Sequence, residues 1–379
     1  MHEVAASGKE HYGGTKPDLR FGSNAVRLSV RQWIAAGIII VAALLLAPTL
    51  WERLETFQPD ADYRIPYALS SDYWLFDRYC RLASARPATL VVGDSVIWGH
   101  YVTQHQTLSH YLNDQAGKAR FVNLGVDGVH PAAMAGLLEY YGRGISKRNV
   151  ILHCNLLWTA SSTHDLQTQE DLPFSHPSLV PQFVPRIPRY AESFNRRLGI
   201  AIERRVEFCS WAEHLRLVYF DSADLPAWTT EHPYANPFRR IALPTDGYLP
   251  QDAIPWTRKG IKEQAFPWVE LETSLQWRLF RQAAETLQRR GNRVFVLVGP
   301  FNTHMLTLEN RRVYALRKRK VEEWLVENDI PHYVAPELDT ELYADASHPL
   351  SAGYAVLAKQ LFEHDSFARF DAPCRGDKK

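Results

Sequence analysis

Residues 89–99 read TLVVGDSVIWG, and this stretch decides the fold class. Thr89–Val92 is a short β-rich apolar run, Gly93-Asp94 a turn, and Ser95 opens a segment with helical character. A serine at a sharp strand-to-helix turn stands at the carboxyl edge of a sheet, where α/β folds place their sites. The same alternation continues outward. Short β-rich runs recur at Phe121–Asn123, Val150–Leu152, Val294–Val298 and His332–Val334. Between them apolar residues recur at helical spacing: Leu108, Tyr111 and Leu112; Leu137, Leu138 and Tyr141 after Pro131; Leu271, Leu275, Leu279 and Ala283 up to Gly291; Tyr354, Leu357, Ala358 and Leu361. Strands alternating with helices predict an α/β fold whose central parallel sheet is covered on both faces.

The alternation stops between residues 159 and 266, which hold 11 of the 23 prolines. So long a structureless loop is improbable in a compact domain, so the stretch is expected to be an inserted cap with some helix, over Tyr190–Glu213. Its tryptophans, Trp211, Trp228 and Trp256, either line a cleft or pack the cap onto the sheet. The α/β domain then comprises residues 88–158 and 267–370.

Before it lies the one departure from a mean hydropathy of −0.29. Residues 32–51, QWIAAGIIIVAALLLAPTLW, carry no charge, and about twenty apolar residues cross a hydrocarbon core as a helix. Trp33 and Trp51 mark its ends. Lys9, Lys16, Arg20, Arg27 and Arg31 precede it and only Arg53 follows closely, so the positive-inside rule puts the N-terminus in the cytoplasm. Residues 1–31 read as a disordered leader, 52–87 as an irregular stem, and everything beyond Glu52 as extracytoplasmic, periplasmic in a bacterium. A net charge of +1, from 43 basic and 42 acidic residues, excludes a nucleic-acid binder that works through bulk charge. Four cysteines allow three pairings. Cys80 with Cys374 is the pair to test first, and four buried thiols are the alternative.

A serine hydroxyl needs a base within hydrogen-bond reach. Asp345-Ala346-Ser347-His348-Pro349, just before the last helix, supplies one: Asp345 orients the His348 imidazole and stabilises its charged form. Alone, Ser95 reads equally as a helix N-cap and Asp345 as a turn residue. Together they stand at the right ends of the alternation. A tetrahedral intermediate also needs donors aimed at its oxyanion. The backbone N–H groups of Ser95 and Gly128 and the amide of Asn155 all follow expected strands. Gly128 as a positive-φ turn and Asn155 as a strand-end turn residue are the alternatives. His100, His105 and His110, five apart, would be spread around a helix, so no metal site is expected, and no cofactor fingerprint is present. The basic run from Arg311 to Lys320 reads as a solvated helix face.

These blocks resemble the SGNH (GDSL-type) hydrolase superfamily. Gly93-Asp94-Ser95…Gly99 is similar to the nucleophile block, Asn123–Gly128 to the second and Asp345-x-x-His348-Pro349 to the last. His153-Cys154-Asn155 occupies the place of the third, with His153 for a glycine and Leu156 for the usual aspartate. The resemblance implies a flavodoxin-like three-layer sandwich, the triad Ser95, His348 and Asp345, and an oxyanion hole of Ser95, Gly128 and Asn155. It also implies a membrane-anchored serine esterase or acyltransferase acting on ester-linked acyl groups. Substrates would be small esters or O-acetylated envelope or exopolysaccharide glycans, with a membrane acyl-donor protein as a possible partner. Ser95→Ala and His348→Ala are then expected to abolish activity, and His153→Ala to leave it. The altered third block motivates an alternative: an inactive SGNH-like domain that binds glycan or scaffolds an export or acylation complex.

Overall fold

The computed structural model describes residues 28–168 and 174–372. Its centre is a sheet of five strands: β1 (Thr89–Gly93), β2 (Phe121–Gly125), β3 (Asn149–Cys154), β4 (Arg293–Val298) and β5 (His332–Val334). All pairings are parallel and the order is β2-β1-β3-β4-β5. Each strand falls on a β-rich run of the sequence. The strands are nearly continuous in apolar residues because both faces are buried.

Alternate side chains feed two cores. Leu90, Val92, Val150, Leu152, Val294, Val296 and Val298 join one with helices Pro131–Tyr140 and Leu275–Arg289. Val91, Ile151, Phe295 and Leu297 join the other with helices Leu108–Ala116, Ser351–Glu363 and Asp365–Asp371. Chain direction through β1 and β3 puts Gly93 and Cys154 at the same sheet edge, and the connections after these neighbouring strands diverge there. That edge carries Ser95.

The stretch read as an irregular stem holds a helix, Tyr73–Ser84, capped by Asp72 and burying Trp74, Leu75, Phe76, Tyr79 and Cys80. In the insertion the single helix expected over Tyr190–Glu213 is two, Phe194–Glu203 and Glu207–Tyr219, and a third follows at Leu225–Glu231. Asp165, near the start of the insertion, accepts from the Leu275 and Gln276 amides and so caps helix Leu275–Arg289. The basic run is less solvated than its composition suggests. Arg317 is buried and bonds the Val269 carbonyl and Glu270.

Residues from Pro48 onward form one compact unit, and those up to Ala47 another. Helix Val30–Leu54 is long and apolar enough to cross a membrane. Ile34, Ile38, Ile39, Leu45 and Leu46 on it are exposed. Residues 1–27 of the leader lie outside the described residues, as does Cys374; at the leader's end Val30 and Arg31 are already helical. Among the described residues Cys80, Cys154 and Cys209 form no disulfide, and burial pushes the first two thiols well up from their ordinary value.

His214 binds two buried carboxylates, Asp72 at 2.6 Å and Glu55 at 3.0 Å, and Glu55 also receives Arg78 and Tyr219. Burial alone would depress the His214 imidazolium, but the charge and hydrogen bonds of Asp72 and Glu55 outweigh it and raise its pKa to about 9. A raised imidazole pKa contributes stability that is fully present below the unfolded value near 6.5 and is lost as pH climbs through about 9. Unfolding free energies from urea titrations at pH 6 and pH 10 are expected to differ by on the order of 3 kcal/mol from this group. The His214→Phe variant should lose most of that difference.

Candidate active site

Asp94, not Ser95, caps the helix Ser95–Trp98: its carboxylate accepts from the Val96 amide. The serine hydroxyl is left for chemistry. Its Oγ lies 2.8 Å from His348 Nε2, and His348 Nδ1 lies 2.9 Å from both carboxylate oxygens of Asp345. A carboxylate only accepts, so Nδ1 carries the proton and Nε2 is free to receive the one on Ser95. Asp345 also accepts from the Ser347 and His348 amides, so the turn reading and the orienting reading hold together.

Burial would raise the Asp345 pKa and lower that of His348. Their mutual attraction and hydrogen bond reverse both: Asp345 is held well below the usual carboxylate range and His348 is raised. Asp94 and Asp127 add to the positive shift on His348.

Behind the serine, Asp94 is 1 % exposed and takes four donors. Val96 N and His153 Nδ1 reach one oxygen at 3.0 Å each, while Asn155 Nδ2 at 2.8 Å and Trp158 Nε1 at 3.0 Å reach the other. Burial opposes its charge, but His153 and these hydrogen bonds lower its pKa to about 2. His153 Nε2 meets the Gly299 carbonyl at 3.0 Å. That carbonyl only accepts, so Nε2 carries a proton. With a carboxylate at Nδ1, the imidazolium satisfies both contacts, an ion pair linking the ends of β1, β3 and β4. Two glycines hold the Ser95 helix close to the sheet. A Cβ on Gly125 would sit 2.3 Å from Trp98 N, and one on its register partner Gly93 would sit 2.3 Å from Ile97 Cγ1.

The structure thus brings Ser95, His348 and Asp345 into one hydrogen-bonded chain and places Asn155 on the residue preceding the serine. Asn155 also caps the turn Leu156–Thr159, accepting from Leu157 N, so its turn role is real as well. Gly128 has φ +74° and follows Asp127, whose carbonyl accepts from His176 Nε2 of the insertion at 2.8 Å. No hydrogen bond among the described residues joins Gly128 to Ser95 or Asn155.

Several neighbours of the triad do not stand out in the sequence as site residues. His100 pairs with Asp127 at 2.7 Å, and its ring centre is 5.5 Å from that of His348. Tyr101 lies 5.6 Å from His348 and under the Lys259 ammonium, which is 4.2 Å from its ring centre. Tyr248 donates to the His100 carbonyl. The insertion therefore reaches this neighbourhood through Tyr248 and Lys259. The three tryptophans instead pack: Trp211 against Trp51 and Phe208, Trp228 against Phe220, and Trp256 with its Nε1–H on Thr340. Adjacency to the Gly99 turn is the one signal in the sequence for His100 and Tyr101.

No family model matches the sequence, and no curated protein matches it either.

Proposed function

We propose that this chain is a membrane-anchored serine esterase or acyltransferase of the SGNH type, built on a flavodoxin-like three-layer sandwich. The observation that carries the reading is the unbroken hydrogen-bond chain Asp345–His348–Ser95 at the carboxyl edge of a parallel sheet. The strand order supports it, because 2-1-3-4-5 is the doubly wound flavodoxin-like order.

Ser95 Oγ attacks an acyl carbonyl as His348 Nε2 takes its proton. Asp345 stabilises the imidazolium, which then returns the proton to the leaving alkoxide. Water or a sugar hydroxyl, deprotonated in turn by His348, attacks the acyl-enzyme and releases Ser95. The backbone amides of Ser95 and Gly128 and the second amide hydrogen of Asn155 are assigned to the oxyanion. The positive flank before residue 32 supports a cytoplasmic N-terminus and a site outside; in this reading the site faces O-acylated envelope glycans or small esters, with a membrane acyl-donor protein as partner and no nucleic acid.

A fluorophosphonate probe on the detergent-solubilised full chain tests the reading. Labelling is expected at Ser95. A folded chain that takes no label leaves the alternative, a non-catalytic glycan-binding or scaffold domain, which rests on His153 and Leu156 in the third block. Acetyl-ester turnover with and without a glycan acceptor separates hydrolase from transferase. A tag beyond Glu52 should be accessible only from outside the cell.

The pH profile has a defined sign. The base must be neutral, and the His348 pKa is raised above the ordinary 6.5, so kcat/KM should climb with pH through a limb lying above 6.5. Asp345→Asn should lower the rate and move that limb to lower pH.

A further inference from the structure

The five-residue spacing of His100, His105 and His110 does not run along one helix. His100 follows the helix Ser95–Trp98, His105 lies in the short turn Gln104–Gln106, and His110 is in the first turns of Leu108–Ala116. The backbone is extended at Thr107, between turn and helix, and this brings His105 and His110 together, with ring centres 6.0 Å apart. Both turn their Nδ1 atoms onto one oxygen: Asp62 Oδ2 lies 2.9 Å from His105 Nδ1 and 2.9 Å from His110 Nδ1.

We propose that Asp62, His105 and His110 form a surface site for a divalent transition ion, zinc first, that is separate from the Ser95 site. The three ligand atoms lie within 4.8 Å of one another. Zinc holds nitrogen and oxygen ligands at about 2.0–2.2 Å, which puts tetrahedral neighbours about 3.3 Å apart. Each Nδ1–Oδ2 pair, now 2.9 Å apart, needs to part by only a few tenths of an ångström to admit the ion. Binding takes each imidazole to its Nε2–H tautomer, the Nδ1 proton that now faces Asp62 passing through solvent to Nε2, and the fourth position is open to water because the His105 side chain is 59 % exposed.

The surroundings suit a metal better than a plain hydrogen-bonded trio. Each imidazole has a partner on its far nitrogen. His110 Nε2 is 3.4 Å from the Asp114 carboxylate, and His105 Nε2 is 3.1 Å from the Gln104 amide, whose oxygen takes the Nε2 proton once Nδ1 is metallated. Metal-bound histidines regularly donate their other N–H in this way, and a carboxylate there raises the basicity of the ligand. The frame is built by local caps as well. Gln106 closes a capping box on Thr103, Thr107 caps the helix of His110, and the Asp62 amide donates to Asp60. Asp60, Asp62 and Asp114 make the patch acidic, which favours a cation. Histidine and carboxylate ligands select a borderline ion such as zinc over calcium or magnesium.

The test is calorimetric titration of the full chain in detergent with zinc chloride, repeated by cobalt(II) absorption spectroscopy. Saturable binding of one equivalent is expected. His105→Ala and His110→Ala should each weaken it at least about tenfold, and loss of the outer carboxylate in Asp114→Asn about 10-fold or more. Absence of saturable zinc uptake overturns the proposal. So does uptake that is unchanged in the double variant His105→Ala/His110→Ala, which places the ion elsewhere. If His110→Ala unfolds the chain, His105→Ala decides alone, because that side chain is exposed and the variant removes no core contact.

Discussion

Ser95→Ala is expected to cut ester turnover by about 10³-fold or more while leaving the thermal midpoint within a degree or two of the parent. Among the described residues the serine is the only hydroxyl bonded to His348, and its Oγ makes no other hydrogen bond, so the variant removes the proposed nucleophile and little structure. One neutral hydrogen bond contributes about 1 kcal/mol, far below the rate effect. His348→Ala should lose a similar factor, and the double variant no more than either single one, because the two act as a unit. Turnover by Ser95→Ala within tenfold of the parent, with fluorophosphonate still bound, would sink the assignment of the nucleophile. Kinetics on an acetyl ester, with folding checked by circular dichroism, make the measurement.

His153→Ala is expected to destabilise the chain more than loss of Ser95 or His348, although the sequence alone marks this residue as dispensable. The ring is 1 % exposed and is the charge partner of Asp94, itself wholly enclosed. Removing one member of a buried ion pair costs about 3–5 kcal/mol, since the other charge stays behind without compensation. Three donors to Asp94 remain, which is why the cost should stay within that range. A depressed carboxyl pKa contributes stability that is present above the unfolded value of 3.8 and lost as pH falls through about 2. Without His153 the Asp94 pKa rises, so acid unfolding should begin at a higher pH. Urea unfolding at pH 7 and a descending pH series test both parts. A His153→Ala chain that unfolds with the parent in both would show that the pair is not structural.

The strands were readable because buried parallel strands are continuous apolar runs, as in Val91–Val92 and Val294–Val298. The triad was readable because its three members sit in two short motifs at strand and helix ends. The rest was hidden for physical reasons. Trp74 and Arg78 lie on the charged face of the helix Tyr73–Ser84, opposite Phe76, Tyr79 and Ala83, and both are buried there, Trp74 against His214 and Arg78 against Glu55. His153 looked like a departure at a glycine position; nothing near it in sequence announces Asp94 or Gly299 as partners. Tyr248 and Lys259 reach His100 and Tyr101, beside the triad, from a segment without periodicity, where tertiary contacts alone set position. The tryptophans there read equally as cleft lining and as packing, and Trp228 and Trp256 are spent on packing.

The close seat of the Ser95 helix on the sheet also determines how a saturation-mutagenesis map of this chain would look. Gly93 and Gly125 are neighbours in register, and any side chain on either meets atoms of the helix that carries Ser95. Both columns should be as intolerant as Ser95 itself when the assay reads activity. In an assay of protein abundance, however, the glycine columns should stay dark while Ser95 turns permissive. Two positions that touch no substrate would thus pass for catalytic ones in a single-assay screen, and only the paired measurement would tell the scaffold from the chemistry.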